Sequence, residues 1–175
     1  MSGVRLRRAA PADIPFLVKL TTHEEVEPYL GTRTARDAGA VLAEVERSTT
    51  EPMEFGRFVI EVEQDGGWQR AGGLGFHAAS PQHRIAAVER LAILPDFRGR
   101  GLADEAARLL QRLLLAELGY HRLELECYGF NGRAIRHAER AGWIREGVKR
   151  KAYWRHGEWV DGVLFALLRE DLEQG

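Results

Sequence analysis

The chain has 175 residues, of which 45% are hydrophobic and 29% are charged, and its formal net charge is −1 at pH 7. This length suits one domain with a full-sized core, and so small a net charge excludes a protein-wide field that would recruit nucleic acid or an anionic membrane. The single cysteine, Cys127, cannot form an internal disulfide, which favours a reducing compartment. The first residues lack the apolar core of a signal peptide, so we expect a cytoplasmic protein.

Two helices are predicted near the start of the chain, after a strand at Val4 to Arg8 in which apolar and charged residues alternate. Asp13 is the expected cap of the first helix, and residues 21–32 then indicate an irregular loop because they contain a proline and a glycine. Thr34 is the expected cap of the second helix. The apolar residues at helical spacing are Ile14, Leu17 and Val18 in the first helix and Ala38, Val41, Leu42 and Val45 in the second.

Three strands and the longest helix occupy the middle of the chain. Strands are predicted at Phe58 to Val62 and at Leu74 to His77, joined by a turn at Asp65-Gly66-Gly67, and a longer strand runs from Arg84 to Leu94. From Leu102 to Leu118 the sequence has its clearest helical period, and the glycine that follows is a typical helix stop.

The last third predicts a strand at Leu123 to Tyr128, a short helix at Arg133 to Arg140, and two strands around a turn at His156-Gly157. Because a helix connects them, the strand that ends at Leu94 and the strand that ends at Tyr128 should lie parallel, whereas the final hairpin is antiparallel. The sequence therefore predicts a single α+β domain over residues 1–175, with a mixed central sheet of about seven strands flanked by about four helices.

A glycine-rich segment from Arg98 to Ala103 lies between a predicted strand and a predicted helix. Helix N-termini leave backbone N–H groups without carbonyl partners at the positive end of the helix dipole, and Gly99 and Gly101 permit a close backbone approach. The segment therefore predicts an anion site. It lacks the Lys-Ser/Thr pair of a Walker A loop and the spacing of the dinucleotide fingerprint, and an ordinary strand-to-helix turn is the alternative.

The same segment has the pattern Arg-x-x-Gly-x-Ala, which resembles the pyrophosphate loop of the GNAT (general N-acetyltransferase) superfamily, and the order of predicted elements resembles that fold over nearly the whole chain. Within the superfamily, the second half of the chain resembles the RimJ/RimL branch. Four blocks carry that resemblance, namely Asn131 to Arg136, Glu139 to Trp143, Glu146-Gly147, and a hairpin with Tyr153, Gly157, Trp159 and Asp161. The first half resembles the superfamily only in its plan.

The resemblance implies that acetyl-CoA binds as a co-substrate. The glycine-rich segment would bind the pyrophosphate, the strand before it would pair with the pantetheine arm, and residues after the next strand would contact the arm or the 3′-phosphate. The implied cofactor-binding residues are Ala92, Ile93, Leu94, Arg98, Gly99, Arg100, Gly101, Leu102, Ala103, Asn131, Arg133 and Arg136. Two alternatives stay open, namely that Asn131 only caps its helix and that Arg133 and Arg136 are solvated.

Acyl transfer to an amine requires a base, since the nucleophile must lose a proton. Glu89 is the first candidate because it shares strand parity with Leu91 and Ile93, and the superfamily often places its base on this strand. The usual RimJ/RimL glutamate matches Val88 instead, and a solvated surface charge is the alternative for Glu89. Glu126, on the next parallel strand, is the second candidate.

The acid that protonates the departing thiolate is harder to assign. The resemblance places a tyrosine at the position of Ala138 or a serine at the position of Ala134, and both residues are alanine here. Tyr128 is the nearest phenol, followed by Tyr153, with core packing as the alternative for each. A coenzyme A thiolate leaves tolerably well near neutral pH, so the acid is dispensable.

The remaining patterns predict ordinary structure. The histidines are scattered, so no metal site is expected, and Cys127 is expected to be a buried free thiol. No helix is predicted after the glycines at positions 72–75, which indicates a closely approached strand and not a phosphate loop. Basic and aromatic residues between Arg145 and Arg155 predict a solvated hairpin, with RNA binding as the alternative.

The expected function is acetyl-CoA-dependent acetylation of a primary amine by direct transfer in a ternary complex, because no nucleophile–base pair is visible for a covalent intermediate. A non-catalytic acyl-CoA-binding or sensing module is the alternative from another class. The acceptor is a small molecule or a peptide, and an amine of low pKa, such as a protein N-terminus or an aminoglycoside amine, is favoured over a free lysine side chain. Neither nucleic acid nor a membrane is an expected partner, and a homodimer is the assembly that we consider.

Overall fold

The computed structural model describes residues 3–174, in which seven strands form one mixed β-sheet. The strands are β1 (Val4–Arg8), β2 (Phe55–Gln64), β3 (Gly67–Ser80), β4 (Ile85–Ile93), β5 (Arg122–Tyr128), β6 (Ile144–Arg155) and β7 (Glu158–Leu168). The helices are α1 (Ile14–Thr22), α2 (Ala38–Thr50), α3 (Leu102–Arg112), α4 (Gly132–Arg140) and α5 (Arg169–Glu173). The predicted α+β class is confirmed, and α5 is an addition that the sequence analysis missed.

The strands lie in the order β1-β2-β3-β4-β5-β7-β6, and every neighbouring pair is antiparallel except β4 and β5. The predicted parallel pair is thus confirmed, but its pairing is limited to residues 85–87 opposite residues 122–124. From Val88 onward, the strand has no pairing with β5. The sheet therefore opens at its centre beyond Ala87.

The two faces of the sheet carry separate apolar cores. Side chains alternate along a strand, so Phe58 and Ile60 of β2 pack in the cluster that contains α3 and α4, whereas Val59 packs in the cluster that contains α1 and α2. The predicted apolar stripe of α3 is confirmed by the buried side chains of Ala106 and Leu110. Each fully buried leucine of this kind contributes about 2 kcal/mol to folding.

A bulge in β4 overturns the strand parity expected for Glu89. Glu89 lies opposite Gly75 and Ala92 lies opposite Gly73, so β4 has one more residue than β3 across this interval. The extra residue inverts the alternation of side chains beyond it. Glu89 therefore lies on the α1–α2 face together with Ala92 and Leu94, whereas Leu91 and Ile93 belong to the core on the other face.

Of the two predicted helix caps, Asp13 is at the N-cap position of α1 but makes no capping hydrogen bond to that helix, and Thr34 is wrong. The carboxylate of Asp13 instead accepts hydrogen bonds from Arg7 (2.7 and 2.9 Å), from Arg70 (2.8 Å) and from the backbone N–H of Ala10 (2.8 Å). Burial would raise the pKa of Asp13, but these partners outweigh it and hold the pKa at about 2. Thr34 lies before the start of α2, which is capped by Asp37 through the N–H of Ala40 at 2.9 Å.

Other boundaries differ by a few residues. Strands β2 and β3 are longer than predicted, and residues 21–32 contain the end of α1 and a 3₁₀ turn at Glu27–Tyr29. The two predicted hairpin turns are confirmed, with positive φ at Asp65-Gly66 and at His156-Gly157. The α3 helix runs on into a π-helical turn at Leu113–Glu117. Within residues 3–174, no helix has both the length and the apolar character needed to cross a membrane.

Candidate functional site

A cleft of about 1390 Å³ opens where β4 and β5 separate. Its walls are the part of β4 beyond Ala87, the end of β5, and the starts of α3 and α4. The bulge in β4 explains the separation, because an extra residue bends a strand and increases its twist. The bulged residue Arg90 has φ +60°, which costs a non-glycine residue about 1–2 kcal/mol. The sequence predicted both strands but not their divergence.

The N-terminus of α3 faces this cleft without a cap. Within the described residues, no side chain caps α3, so the N–H groups of its first turn have no intrahelical partner. Gly99 and Gly101 have φ values of +77° and +71°, and a Cβ on either residue would meet no atom within 4 Å. Open space thus lies in front of free amides at the positive end of a helix dipole, which is the arrangement of an anion site.

Arginines surround this helix start, although not all as predicted. Arg98 donates to the carbonyl oxygens of Glu25 (3.0 Å) and Ile93 (3.3 Å), and burial together with the nearby charge of Arg133 lowers its pKa. Arg133 and Arg136 are exposed at the edge of the cleft. Arg100 does not line the cleft with its side chain: its guanidinium donates to Gln64 Oε1 at 3.3 Å and to the Asp96 carbonyl oxygen at 3.4 Å. Its assignment to the anion site stays a prediction, made for the segment from Arg98 to Ala103.

The open edge of β4 offers main-chain groups to the cleft. Ala92 and Ile93 line it, and beyond Ala87 no strand of the described chain pairs with this edge. An extended ligand arm can add to such an edge in the manner of another strand. Leu94 belongs to the apolar core on the α1–α2 face and is not among the residues that line the cleft.

Asn131 caps α4, because its Oδ1 accepts a hydrogen bond from the N–H of Ala134 at 3.2 Å.

A contact that the sequence did not reveal fixes α4 against α3. Asp104 in the first turn of α3 accepts from His137 Nδ1 at 2.6 Å and from Arg140 Nε at 3.1 Å. Burial lowers the pKa of His137 despite the Asp104 carboxylate. The first turn of α3 is therefore held against the last turn of α4.

Glu89 lies in the cleft beside a histidine that the sequence analysis did not single out. His77 Nδ1 is 3.0 Å from Glu89 Oε1, and Arg90 donates to the same oxygen. Burial alone would raise the pKa of Glu89, but the hydrogen bond from His77 and the charge of Arg90 outweigh it and lower the pKa. Glu89 is therefore a carboxylate at neutral pH. Correct strand register would have revealed His77, which lies opposite Ala87.

A buried ion cluster lies behind Glu89. Arg57 is 1% exposed, and its Nε is 3.3 Å from Glu44 Oε2. The other oxygen of Glu44 is 3.2 Å from Arg90 Nε. Burial lowers the pKa of Arg57 to about 10, so the guanidinium stays charged at neutral pH. This cluster fixes Arg90 and, through it, the carboxylate of Glu89.

The remaining catalytic candidates lie on the β5 side of the cleft. Lys149 Nζ is 3.1 Å from one oxygen of Glu126, and the hydroxyl of Tyr153 donates to the other, so both oxygens are engaged. The ring of Tyr128 stacks on Phe130 at 5.3 Å and carries the guanidinium of Arg155 at 5.3 Å.

The two positions at which the family resemblance places an acid, a serine or a tyrosine, have alanine side chains. Ala134 lines the cleft and Ala138 is buried.

Cys127 is a buried free thiol, as expected, and burial raises its pKa to about 11, so it is not a thiolate nucleophile at neutral pH. Among residues 3–174, the His, Cys, Asp and Glu side chains form no group of three or more that could hold a metal ion.

Comparison with protein families gives one match over most of the chain: the acetyltransferase (GNAT) domain model matches residues 4–144. The SPbeta prophage-derived uncharacterized N-acetyltransferase YokL of Bacillus subtilis (strain 168) is 35% identical over 83 residues, which are 47% of this chain and 47% of that protein. The uncharacterized N-acetyltransferase YnaD of the same organism is 30% identical over 77 residues, 44% of this chain and 45% of that protein. The aligned segment spans about half the length of these relatives.

Solved structures share the fold over almost the whole chain. The spermidine N-acetyltransferase from Vibrio cholerae in complex with CoA and spermine has a TM-score of 0.85 and 19% identity, with 96% of each chain covered. A dodecameric structure of spermidine N-acetyltransferase from Vibrio cholerae in an intermediate state has a TM-score of 0.79 and 19% identity, with 97% of this chain and 95% of that chain covered. At this identity the likeness is one of fold.

Proposed function

The chain belongs to the acetyltransferase (GNAT) family, and on that premise we propose that it transfers the acetyl group of acetyl-CoA to a primary amine. One observation carries the proposal: the cleft between the diverging strands β4 and β5 leads directly to the uncapped start of α3. An elongated ligand with an anionic end fits this arrangement. Its anionic end would bind the helix amides and arginines at the start of α3, and the rest of the ligand would lie along the open strand edge and its titratable groups.

The residues at the start of α3 fit the anionic part of acetyl-CoA. The backbone amides of residues 98–103 would bind the pyrophosphate in the open space before Gly99 and Gly101, with Arg98 beside it. Arg133 and Arg136 are exposed at the cleft edge and would bind the 3′-phosphate. When bound, acetyl-CoA supplies an activated thioester.

The strand edge fits the rest of the molecule. The main chain of Ala92, Ile93 and Leu94 would lie along the pantetheine arm, and Asn131 would hold α4 against it. The acceptor amine would lie at the inner end of the cleft. Glu89 lies there and belongs to the group of side chains that would take up the proton of the amine. Transfer would be direct, since the thiol of Cys127 is buried and protonated.

A non-catalytic acyl-CoA-binding or sensing module is the second candidate. The observation that favours it is the pair of methyl groups at Ala134 and Ala138, positions where the family resemblance implies a serine or a tyrosine. On the acetyltransferase proposal the thiolate leaves without a dedicated acid, or Tyr128 takes that role. On the sensing proposal the cleft binds acetyl-CoA and turns nothing over.

We place the chain in the RimJ/RimL branch on its four sequence blocks, from Asn131 to the final hairpin. The acceptor proposed on that basis is a small-molecule or peptide amine of low pKa.

A homodimer is the assembly proposed, and sedimentation of the purified chain over a range of concentrations tests it. The Vibrio cholerae relatives, by contrast, are spermidine N-acetyltransferases, one of them dodecameric.

The experiment is a turnover screen with acetyl-CoA against a panel of amines: peptide N-termini, aminoglycosides, polyamines and amino acids. Release of free thiol that depends on an amine, with acetylation of that amine found by mass spectrometry, supports the enzyme. Binding of acetyl-CoA with no amine-dependent thiol release supports the sensing module.

A further inference from the structure

His77 and Glu89 form a pair at the inner end of the cleft. His77 lies on β3 opposite Ala87, the last β4 residue that pairs with β5, so the pair lies where the strands begin to separate. The distance between His77 Nδ1 and Glu89 Oε1 is 3.0 Å, and the side chains are 39% and 29% exposed. Both therefore remain within reach of a molecule in the cleft.

The hydrogen bond defines what each nitrogen of His77 can do. Because Glu89 is a carboxylate and can only accept, the shared hydrogen lies on Nδ1 of the neutral ring. The lone pair is then on Nε2, which makes no hydrogen bond to any residue in the described chain. A carboxylate on one ring nitrogen fixes the tautomer and the orientation of the ring.

We propose that His77 is the group that accepts the proton of the acceptor amine, and that Glu89 is a positioning residue that orients His77 and stabilises its charged form. This inference rests on the acetyl transfer proposed above. As the amine nitrogen forms its bond to the acetyl carbon, the carbon–sulfur bond breaks and its electron pair stays on sulfur. The amine proton passes to Nε2 of His77, and from there to solvent or to the thiolate.

The charges around the pair favour this division of roles. Arg90 on β4 binds the same Glu89 oxygen as His77, and Arg57 on β2 and Glu44 on α2 form the cluster behind it. Burial would raise the pKa of Glu89, but the hydrogen bond from His77 and the charge of Arg90 lower it, so Glu89 stays ionised and is a weak proton acceptor. Imidazole changes its charge between pH 5 and 8, so it is better matched to a proton transfer at neutral pH.

The test compares His77→Gln, Glu89→Gln and the double variant, with His83→Gln as the control because His83 is exposed on the β3–β4 turn and outside the cleft. Each variant of the pair should lower kcat about 10²-fold while the Kd for acetyl-CoA stays the same. The double variant should be no slower than the slower single variant, because residues that act as a unit are not additive. His83→Gln should match the wild type.

The pH profile and chemical rescue separate this role from a structural one. The acidic limb of the wild-type kcat/KM profile should vanish in His77→Gln and persist in Glu89→Gln, because the proton acceptor is lost only in the first variant. Added imidazole should restore part of the turnover of His77→Ala.

Two results would overturn the inference. One is a His77→Gln variant that turns over within about threefold of the wild type while Glu89→Gln loses about 10²-fold, which would make Glu89 the base itself. The other is a double variant whose loss is the product of the two single losses. A wild type that releases no thiol with any amine would instead contradict the proposed function, so the two failures are distinguishable.

Discussion

At the residue scale, the charge of Arg57 depends on one partner carboxylate. Arg57 is 1% exposed, and Glu44 is the acid that its Nε contacts. Glu44→Gln would leave the buried guanidinium of Arg57 without the carboxylate that contacts it, whereas Arg90 would keep Glu89. We expect the free energy of unfolding to fall by about 3–5 kcal/mol, measured by urea denaturation.

Glu51→Gln is the matched control for this change. Glu51 forms an exposed ion pair with Arg47 one helical turn earlier, and both side chains are about half exposed. Pairs of this kind contribute about 0.3–0.5 kcal/mol, so Glu51→Gln should be close to neutral. Equal losses in the two variants would show that Arg57 does not depend on Glu44.

Individual residues were predicted where their role follows from local pattern and missed where it follows from tertiary contact. The sequence correctly placed Glu89 in the cleft strand, but the bulge at Arg90 put it on the opposite face from the one expected. No periodicity reveals a bulge, because only the pairing with β3 shows which residue is extra. The ion pairs of Asp13 were missed for a similar reason, because its partners Arg7 and Arg70 come from β1 and β3.

At the element scale, the proposed binding of acetyl-CoA depends on the start of α3. Gly101→Glu would place a carboxylate in the open space before the helix amides and repel the pyrophosphate. We expect calorimetry to show acetyl-CoA binding at least about 10²-fold weaker, which corresponds to about 3 kcal/mol.

Gly157→Glu controls for the backbone strain and the added charge. Gly157 also has a left-handed φ, +79°, and open space around its Cβ position, but it lies in the β6–β7 turn outside the cleft. This variant should lose similar stability and keep the wild-type Kd. If Gly101→Glu also kept the wild-type Kd in a folded protein, acetyl-CoA would bind elsewhere.

Elements with their own periodicity were predicted well. The stripe of α3 and the turns of both hairpins could be read directly, and the helix between β4 and β5 required them to be parallel. The extent of that pairing could not be predicted, because it depends on the bulge and on how the two sheet halves diverge. The short α5 was missed because five residues give too little periodicity to recognise.

At the scale of the whole molecule, the acceptor is expected to be an amine that is partly neutral at working pH. At pH 7.5 an α-amine is about one-quarter neutral and a lysine amine about one part in a thousand, a difference of about 3 kcal/mol. A peptide with a free N-terminus and one internal lysine should therefore be acetylated mainly at the N-terminus, as located by mass spectrometry. Acetylation mainly at the lysine would contradict this expectation.

The sequence offered patterns for the proposed cofactor side of the cleft and none for the acceptor side. The segment from Arg98 to Ala103 and the blocks after Asn131 are recognisable by their resemblance to the family, and on the proposed function they would contact the ligand that the family shares. The opposite wall of the cleft, with Tyr29 and Arg33 before α2, carries no pattern of this kind. Its shape follows from how the α1–α2 segment packs on the sheet, which the sequence does not display.

The most direct test of the central proposal, that this cleft transfers acetyl groups to amines, is amine-dependent thiol release by the wild type run beside Gly101→Glu and Gly157→Glu. We predict one thiol released per amine acetylated for the wild type and Gly157→Glu, and release near the uncatalysed rate for Gly101→Glu. If the wild type binds acetyl-CoA at the cleft but releases no thiol with any amine of the panel, the chain is not an acetyltransferase.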